Sequence, residues 1–191
     1  TTPPTTTEYY VGQDLKTDGM VVTVTFEDES TQTTTAYTLS GYDKKTVGTQ
    51  TVTVRYKGFS DTFDVTVKEA EAVSISGVTV EDKTYDGKPI EYSGTPTSDN
   101  YSGDYEYIWE TADGTVLDSA PINAGNYKLV VKVSDETFAH TGSVEIPFTI
   151  NKAALTITAE NKSIAFGMNA PEFTCKADGL VDGDTLSATY S

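Results

Sequence analysis

Apolar and polar residues alternate along three stretches of the chain: Thr51-Val52-Thr53-Val54-Arg55-Tyr56, Thr62-Phe63-Asp64-Val65-Thr66-Val67 and Tyr127-Lys128-Leu129-Val130-Val131-Lys132-Val133. The residues between the apolar positions are mostly Thr, Lys and Asp. Extended backbone sends successive side chains to opposite faces, so a period of two predicts a strand with one buried face. No helical period competes with it. Lys68-Glu69-Ala70-Glu71-Ala72 is the one helix-friendly run. It is too short to hold an isolated helix and reads as a linker.

Glycine turns and further alternation divide the chain into modules. Residues 1–7, Thr1-Thr2-Pro3-Pro4-Thr5-Thr6-Thr7, read as an extended linker. Residues 8–68 form a first module. Its strand at 20–26 puts Met20, Val22, Val24 and Phe26 on one face, and Glu27-Asp28-Glu29-Ser30 turns it. Tyr37 and Leu39 begin the next strand, and Gly48 opens a hairpin of the two alternating strands with Gly58 in its turn. Residues 69–72 are the linker.

Residues 73–151 form a second module. Residues 77–80 are a strand, Tyr85-Asp86-Gly87-Lys88-Pro89 a turn, and Tyr105, Tyr107 and Trp109 share one strand face. Asp113-Gly114 is a two-residue hairpin signal. The last strand points Val144, Ile146, Phe148 and Ile150 inward and Pro147 outward, which predicts an edge or bulged strand. Residues 152–191 start a third module with Leu155, Ile157 and Ala159. Asn161-Lys162-Ser163 followed by Phe166-Gly167 and Pro171 weakly repeats Asp82-Lys83-Thr84-Tyr85-Asp86-Gly87-Lys88-Pro89. So few residues cannot bury a core alone. The third segment is therefore expected to be truncated and, where ordered, to lean on the second.

Composition supports an all-β chain, with 33 threonines and 12 tyrosines among 191 residues. The net charge is −16, and Arg55 is the only arginine. A phosphate backbone or an anionic membrane surface would repel such a chain, which excludes nucleic-acid binding. The charge reads as solubility. Cys175 is the single cysteine and cannot close an intramolecular disulfide, so cysteine usage says nothing about compartment. No apolar run approaches a membrane span, and membrane insertion is not expected. No signal peptide is recognisable, and the chain reads as a piece of a longer protein.

With the modules laid out, resemblances follow. Tyr9-Tyr10-Val11-Gly12-Gln13-Asp14-Leu15, Gly19-Met20-Val21-Val22-Thr23-Val24, Ser40-Gly41-Tyr42-Asp43, Gly48-Thr49-Gln50-Thr51-Val52-Thr53-Val54 and Phe63-Asp64-Val65-Thr66-Val67 resemble a bacterial Ig-like domain of the group 4 type. Lys83-Thr84-Tyr85-Asp86-Gly87, Ala120-Pro121-Ile122-Asn123-Ala124-Gly125-Asn126-Tyr127 and Phe148-Thr149-Ile150-Asn151-Lys152-Ala153 resemble a YDG-type surface repeat. Leu155-Thr156-Ile157-Thr158-Ala159 and Gly179-Leu180-Val181-Asp182-Gly183-Asp184 resemble the first part of an MBG-type repeat, with Ala165-Phe166-Gly167 where that repeat usually has Tyr-Gly. The resemblances imply large secreted or wall-attached proteins of Firmicutes-like bacteria, in which such modules serve as spacers or adhesin stalks. They supply no catalytic residue. The fold expected is all-β: elongated, tandem Ig-like β-sandwich modules with a truncated third.

Candidate chemistry is sparse. His140, the only histidine, stands in Phe138-Ala139-His140-Thr141-Gly142 without a nucleophile elbow and is expected to be an exposed loop residue. Cys175 is expected to be a small, half-buried thiol. Glu27-Asp28-Glu29 and Asp182-Gly183-Asp184 are oxygen-rich turns without the spacing of a calcium loop. Tyr101, Tyr105, Tyr107 and Trp109 invite a sugar-stacking reading, yet the last three share the face a sandwich buries. Lys83, Asn123 and Asn151 are present, but no motif selects a Lys–Asn isopeptide pair. No catalytic, cofactor or metal residue is therefore assigned, no cofactor is expected, and the chain is not expected to be an enzyme. It reads as a monomeric, extracellular structural segment whose partners are the neighbouring domains of its own polypeptide. The alternative is an accessory module binding a host or dietary glycan or protein.

Overall fold

The computed structural model describes residues 1–187 and 189, all of them in strands, turns or irregular backbone. Two compact units are formed. The first comprises Thr1–Ser74, Asp99–Asp104 and Val133–Gly142, and the second Ile75–Ser98, Tyr105–Lys132 and the chain from Ser143 onward.

In the first unit, β1 (Glu8–Tyr10), β2 (Val22–Thr25), β3 (Thr31–Thr34), β4 (Thr38–Ser40), β5 (Gly48–Tyr56) and β6 (Phe59–Lys68) build a sandwich. One sheet runs β1-β6-β5-β4 and the other is the hairpin β2-β3. The alternating stretches are β5 and β6, paired antiparallel with Val52 opposite Phe63. They meet at Lys57 and Gly58, both at positive φ (45° and 89°), as a two-residue turn matching strand twist requires. Tyr9, Val22, Val52, Val54, Phe63, Val65 and Val67 form the core. β3 was not legible in the pattern. Thr31-Gln32-Thr33-Thr34 carries no apolar residue, and only its pairing with β2 makes it a strand.

The Thr/Pro stretch expected as a linker is instead part of this module. Thr2 and Val21 exchange backbone hydrogen bonds (2.7 and 3.1 Å), Thr5 donates to Asp18, and Thr66 donates to the Thr7 carbonyl at 2.8 Å. Pro4 is buried. Proline and threonine keep the backbone extended, and extended backbone can pair along an edge as readily as it can span a gap. The second linker, too, contributes a strand. β7 (Glu71–Ala72) pairs in parallel with residues 140–141, and Val73 donates to the Thr141 carbonyl.

The remaining strands are β8 (Ser76–Thr79), β9 (Lys83–Thr84), β10 (Ser93–Thr97), β11 (Asp104–Thr111), β12 (Val116–Leu117), β13 (Gly125–Ser134), β14 (His140–Thr141), β15 (Ser143–Asn151), β16 (Thr156–Ala159) and β17 (Cys175–Asp178). In the second unit a five-stranded sheet, β12-β11-β13-β15-β9, faces the pair β10-β8. Between them lie Ile90, Leu129, Val131, Phe148 and Ile150, with Val78 of β8 and Ile75 just before it packed against them. β9 covers β15 only at Ile150 and Asn151, so at Pro147 the strand is an open edge, the position its missing N–H allows. β16 and β17 pair antiparallel as a two-stranded ribbon. Among the described residues beyond Ile150, none is buried.

Candidate functional site

The aromatic residues of β11 lean on the core of the second unit. Tyr105, Tyr107 and Trp109 are half-buried against it, and the Trp109 ring meets Phe148 edge-on at 5.7 Å. Phe148 in turn stacks on Tyr127 at 5.8 Å. Tyr92, outside every alternating run, lies over Tyr107 at 4.9 Å with 22° between the rings and over Trp109 at 6.4 Å. Burial, then the neighbouring Tyr92, pushes the Tyr107 phenol above its ordinary value. The outermost ring, Tyr92, is 42% exposed. This small platform is the part of the aromatic cluster that a sugar could reach. Sequence pattern missed Tyr92 because a single tyrosine before β10 carries no period.

Tyr101 does not join that platform. In the first unit its ring sits 5.1 Å from His140, and its hydroxyl donates to the Ser134 carbonyl at 2.7 Å. His140 is half-buried rather than an exposed loop residue. Its backbone N–H donates to Asp135 Oδ2 (2.9 Å), and its Nδ1 lies 2.8 Å from the same oxygen. A carboxylate only accepts, so Nδ1 carries the proton. Asp135 Oδ1 also accepts from the Thr137 N–H and hydroxyl (2.8 and 2.6 Å). The Thr137 hydroxyl first, against the cost of burial and with help from His140, holds this carboxyl at about 2. An Asp–His pair is thus present. Its hydrogen bonds fold residues 135–140 into a closed loop, which leans on the first module: the Phe138 ring lies against Gly12, and Gln13 Nε2 donates to the Thr137 carbonyl at 3.1 Å.

In each acidic turn an aspartate is engaged by hydrogen bonds of the fold. Asp28 Oδ1 accepts from the Ser30 N–H (3.0 Å) and hydroxyl (2.5 Å), which fixes the turn between β2 and β3. Asp184 Oδ1 accepts the Tyr85 hydroxyl at 2.8 Å. Lys83 Nζ holds Asp86 Oδ1 (2.7 Å) and the Lys88 carbonyl (2.7 Å), so this ammonium shapes the Tyr85-Asp86-Gly87 turn. Asn151 Nδ2 reaches the Lys83 carbonyl at 3.5 Å, and the Asn123 carbonyl accepts the Tyr127 hydroxyl at 3.0 Å. Cys175 is half-buried on β17 opposite Ala159.

The second unit also holds a cleft of about 370 Å³ where stretches of the second and third sequence segments meet, lined by Tyr85, Asn123, Ala124, Lys152, Leu155, Leu180 and Val181 among others. Sequence spacing put these stretches in separate modules. The fold brings them to one place.

Two strand layers packed on apolar cores define an all-β chain built of β-sandwich modules. The comparisons bear on the first and third segments, and they give the first as group 3 rather than the group 4 type expected from its motifs. Residues 2–67 match the bacterial Ig-like domain (group 3), and residues 155–191 match the MBG domain (YGX type). Pectate lyase L of Thermoclostridium stercorarium is 30% identical over 134 residues, covering 67% of this chain and 11% of that protein. Exo-beta-1,6-galactobiohydrolase of Bifidobacterium longum subsp. longum is 37% identical over 78 residues, covering 37% of this chain and 5% of that protein. The chain thus spans a small part of the length of either curated relative. Among solved structures, the N-terminal four Ig domains of Dscam1 isoform 9.44 cover 80% of this chain and 45% of that chain at 12% identity, with a TM-score of 0.25.

Proposed function

We propose that this chain is a non-enzymatic spacing segment of a larger secreted or wall-attached bacterial protein that acts on polysaccharide. Residues 73–151 are read as a YDG-type surface repeat between the Ig-like and MBG-like segments. The observation that carries the reading is the use made of the loops. Residues 135–140 are folded on Asp135 and lie against Gly12 and Gln13, and the Tyr85 turn is bonded to Asp184. Loops that in a binding or catalytic module would present a site here hold neighbouring segments. The names of the two curated relatives support the polysaccharide context, and the net charge of −16 suits a self-repelling surface chain.

The second reading is an accessory carbohydrate-binding module, favoured by the Tyr92 ring stacked on Tyr107. One experiment separates them. The chain is presented to an array of pectic, β-galactan and host glycans beside its Tyr92→Ala variant. The spacer reading expects no saturable binding by either. Binding by the wild type that the variant loses would replace it with the second reading.

A further inference from the structure

Three stretches that mark the second and third segments in the sequence meet in the folded chain. Tyr85-Asp86-Gly87 is a rigid turn. The Tyr85 N–H donates to the Asn151 carbonyl at 2.8 Å, Lys83 clamps Asp86, and the Lys88 N–H donates to Asp86 Oδ1 at 3.0 Å. Beside it stand Asn123 and Ala124. Against it lies the loop Gly179-Leu180-Val181-Asp182-Gly183-Asp184, closed on itself by the Asp184 N–H donating to the Val181 carbonyl at 3.0 Å.

The fit is close. A Cβ on Gly87 would stand 3.2 Å from Val181 Cγ1 and 3.4 Å from the Asp182 carbonyl oxygen. The Tyr85 hydroxyl meets Asp184 Oδ1 at 2.8 Å. At its other end the loop is pressed to its own segment, because a Cβ on Gly179 would fall on the Ala154 carbonyl oxygen. The comparable turn of the third segment shows what the loop adds. There Phe166 is fully exposed, and a Cβ on Gly167 would meet nothing within 4 Å. A turn of this kind does not by itself create a cover.

The ribbon of β16 and β17 needs such support. It has no buried residue among those described, and Ile157 is 54% exposed. A two-stranded ribbon without a buried face is marginal in water. We propose that the Tyr85–Gly87 turn is a docking socket for the Gly-Leu-Val-Asp-Gly-Asp loop of the module that follows it, and that this docking holds residues 155–187 folded. The socket takes a partner of defined chemistry: an aliphatic side chain to cover the glycine and a carboxylate to accept the tyrosine hydroxyl. A following module without both would not seat, so the pair fixes which module can succeed which. This deepens the structural reading above and rests on it.

The test is amide hydrogen exchange on the full chain. In the wild type the amides of residues 156, 158, 176 and 178, which face across the ribbon, are expected to be protected. Val181→Asp, which sets a carboxylate over Gly87, is expected to speed their exchange at least about tenfold while residues 129–131 keep theirs. The milder pair Tyr85→Phe and Asp184→Asn, singly and together, guards against general unfolding. Each is expected to weaken ribbon protection, and the double variant to add little to either. Unchanged ribbon protection in all the variants would overturn the socket, as would additive effects in the pair. The glycan array tests the spacer reading independently, so either can fail alone.

Discussion

Aspartates in this chain build turns before they supply charge. Asp28, Asp43, Asp86, Asp113 and Asp135 each accept a hydrogen bond from the N–H two residues on, the local closure that favours Asp in turns. Their carboxyls are all held below the ordinary value, and hydrogen bonds are the leading cause in each. Part of the acidity that composition presents as solubility is therefore also structural. Asp135 has the most partners and is held at about 2, below its ordinary 3.8. A carboxyl depressed by folding contributes stability that is complete above the ordinary value and is lost as the pH falls through the folded one. Asp135→Asn is therefore expected to lower the melting temperature near neutral pH, and the gap from wild type to narrow between about pH 4 and 2. Melting curves across that range check it. A gap independent of pH would show that the ionised form does not matter.

Strands were legible wherever one face is apolar. β5, β6, β13 and β15 stand where the alternation puts them, and their inward residues are the core: Val52 and Val54, Phe63, Val65 and Val67, Leu129 and Val131, Phe148 and Ile150. β3, β10 and β17 were not legible. Thr31-Gln32-Thr33-Thr34 and Ser93-Gly94-Thr95-Pro96-Thr97 carry no apolar period, so they are strands only because a neighbour offers hydrogen-bonding backbone. A paired measurement shows the division. Leu129→Ala, at a position with no exposure, is expected to cost about 2–5 kcal/mol through lost burial and a residual cavity. Thr62→Ala, exposed on β6, is expected to stay within about 0.5 kcal/mol. Denaturant titration of both variants checks the pair, and a comparable loss in each would mean that the outward face carries stability too.

For the molecule as a whole, charge sets what it avoids. At −16, with one arginine, the chain is expected to give no shift of duplex DNA in a gel even at about 50 mM salt, where electrostatic binding is strongest. A shift there would require a concentrated basic surface that the sequence does not suggest. The sequence by itself determined the all-β class, the inward faces and most of the turns. These follow from local chemistry: a period of two, β-branched threonines, and Asp or Gly where the chain bends. It could not decide which extended segments pair. Thr1-Thr2-Pro3-Pro4-Thr5-Thr6-Thr7 reads as a linker, and so does Glu71-Ala72, yet both are held to strands or loops distant in sequence. Nor could it place Tyr92 over Tyr107, pair His140 with Asp135, or bring Tyr85 to Asp184, 99 residues away. Those were left to the tertiary structure, because pairing and docking depend on which unsatisfied edge or exposed ring comes within reach once the cores have closed.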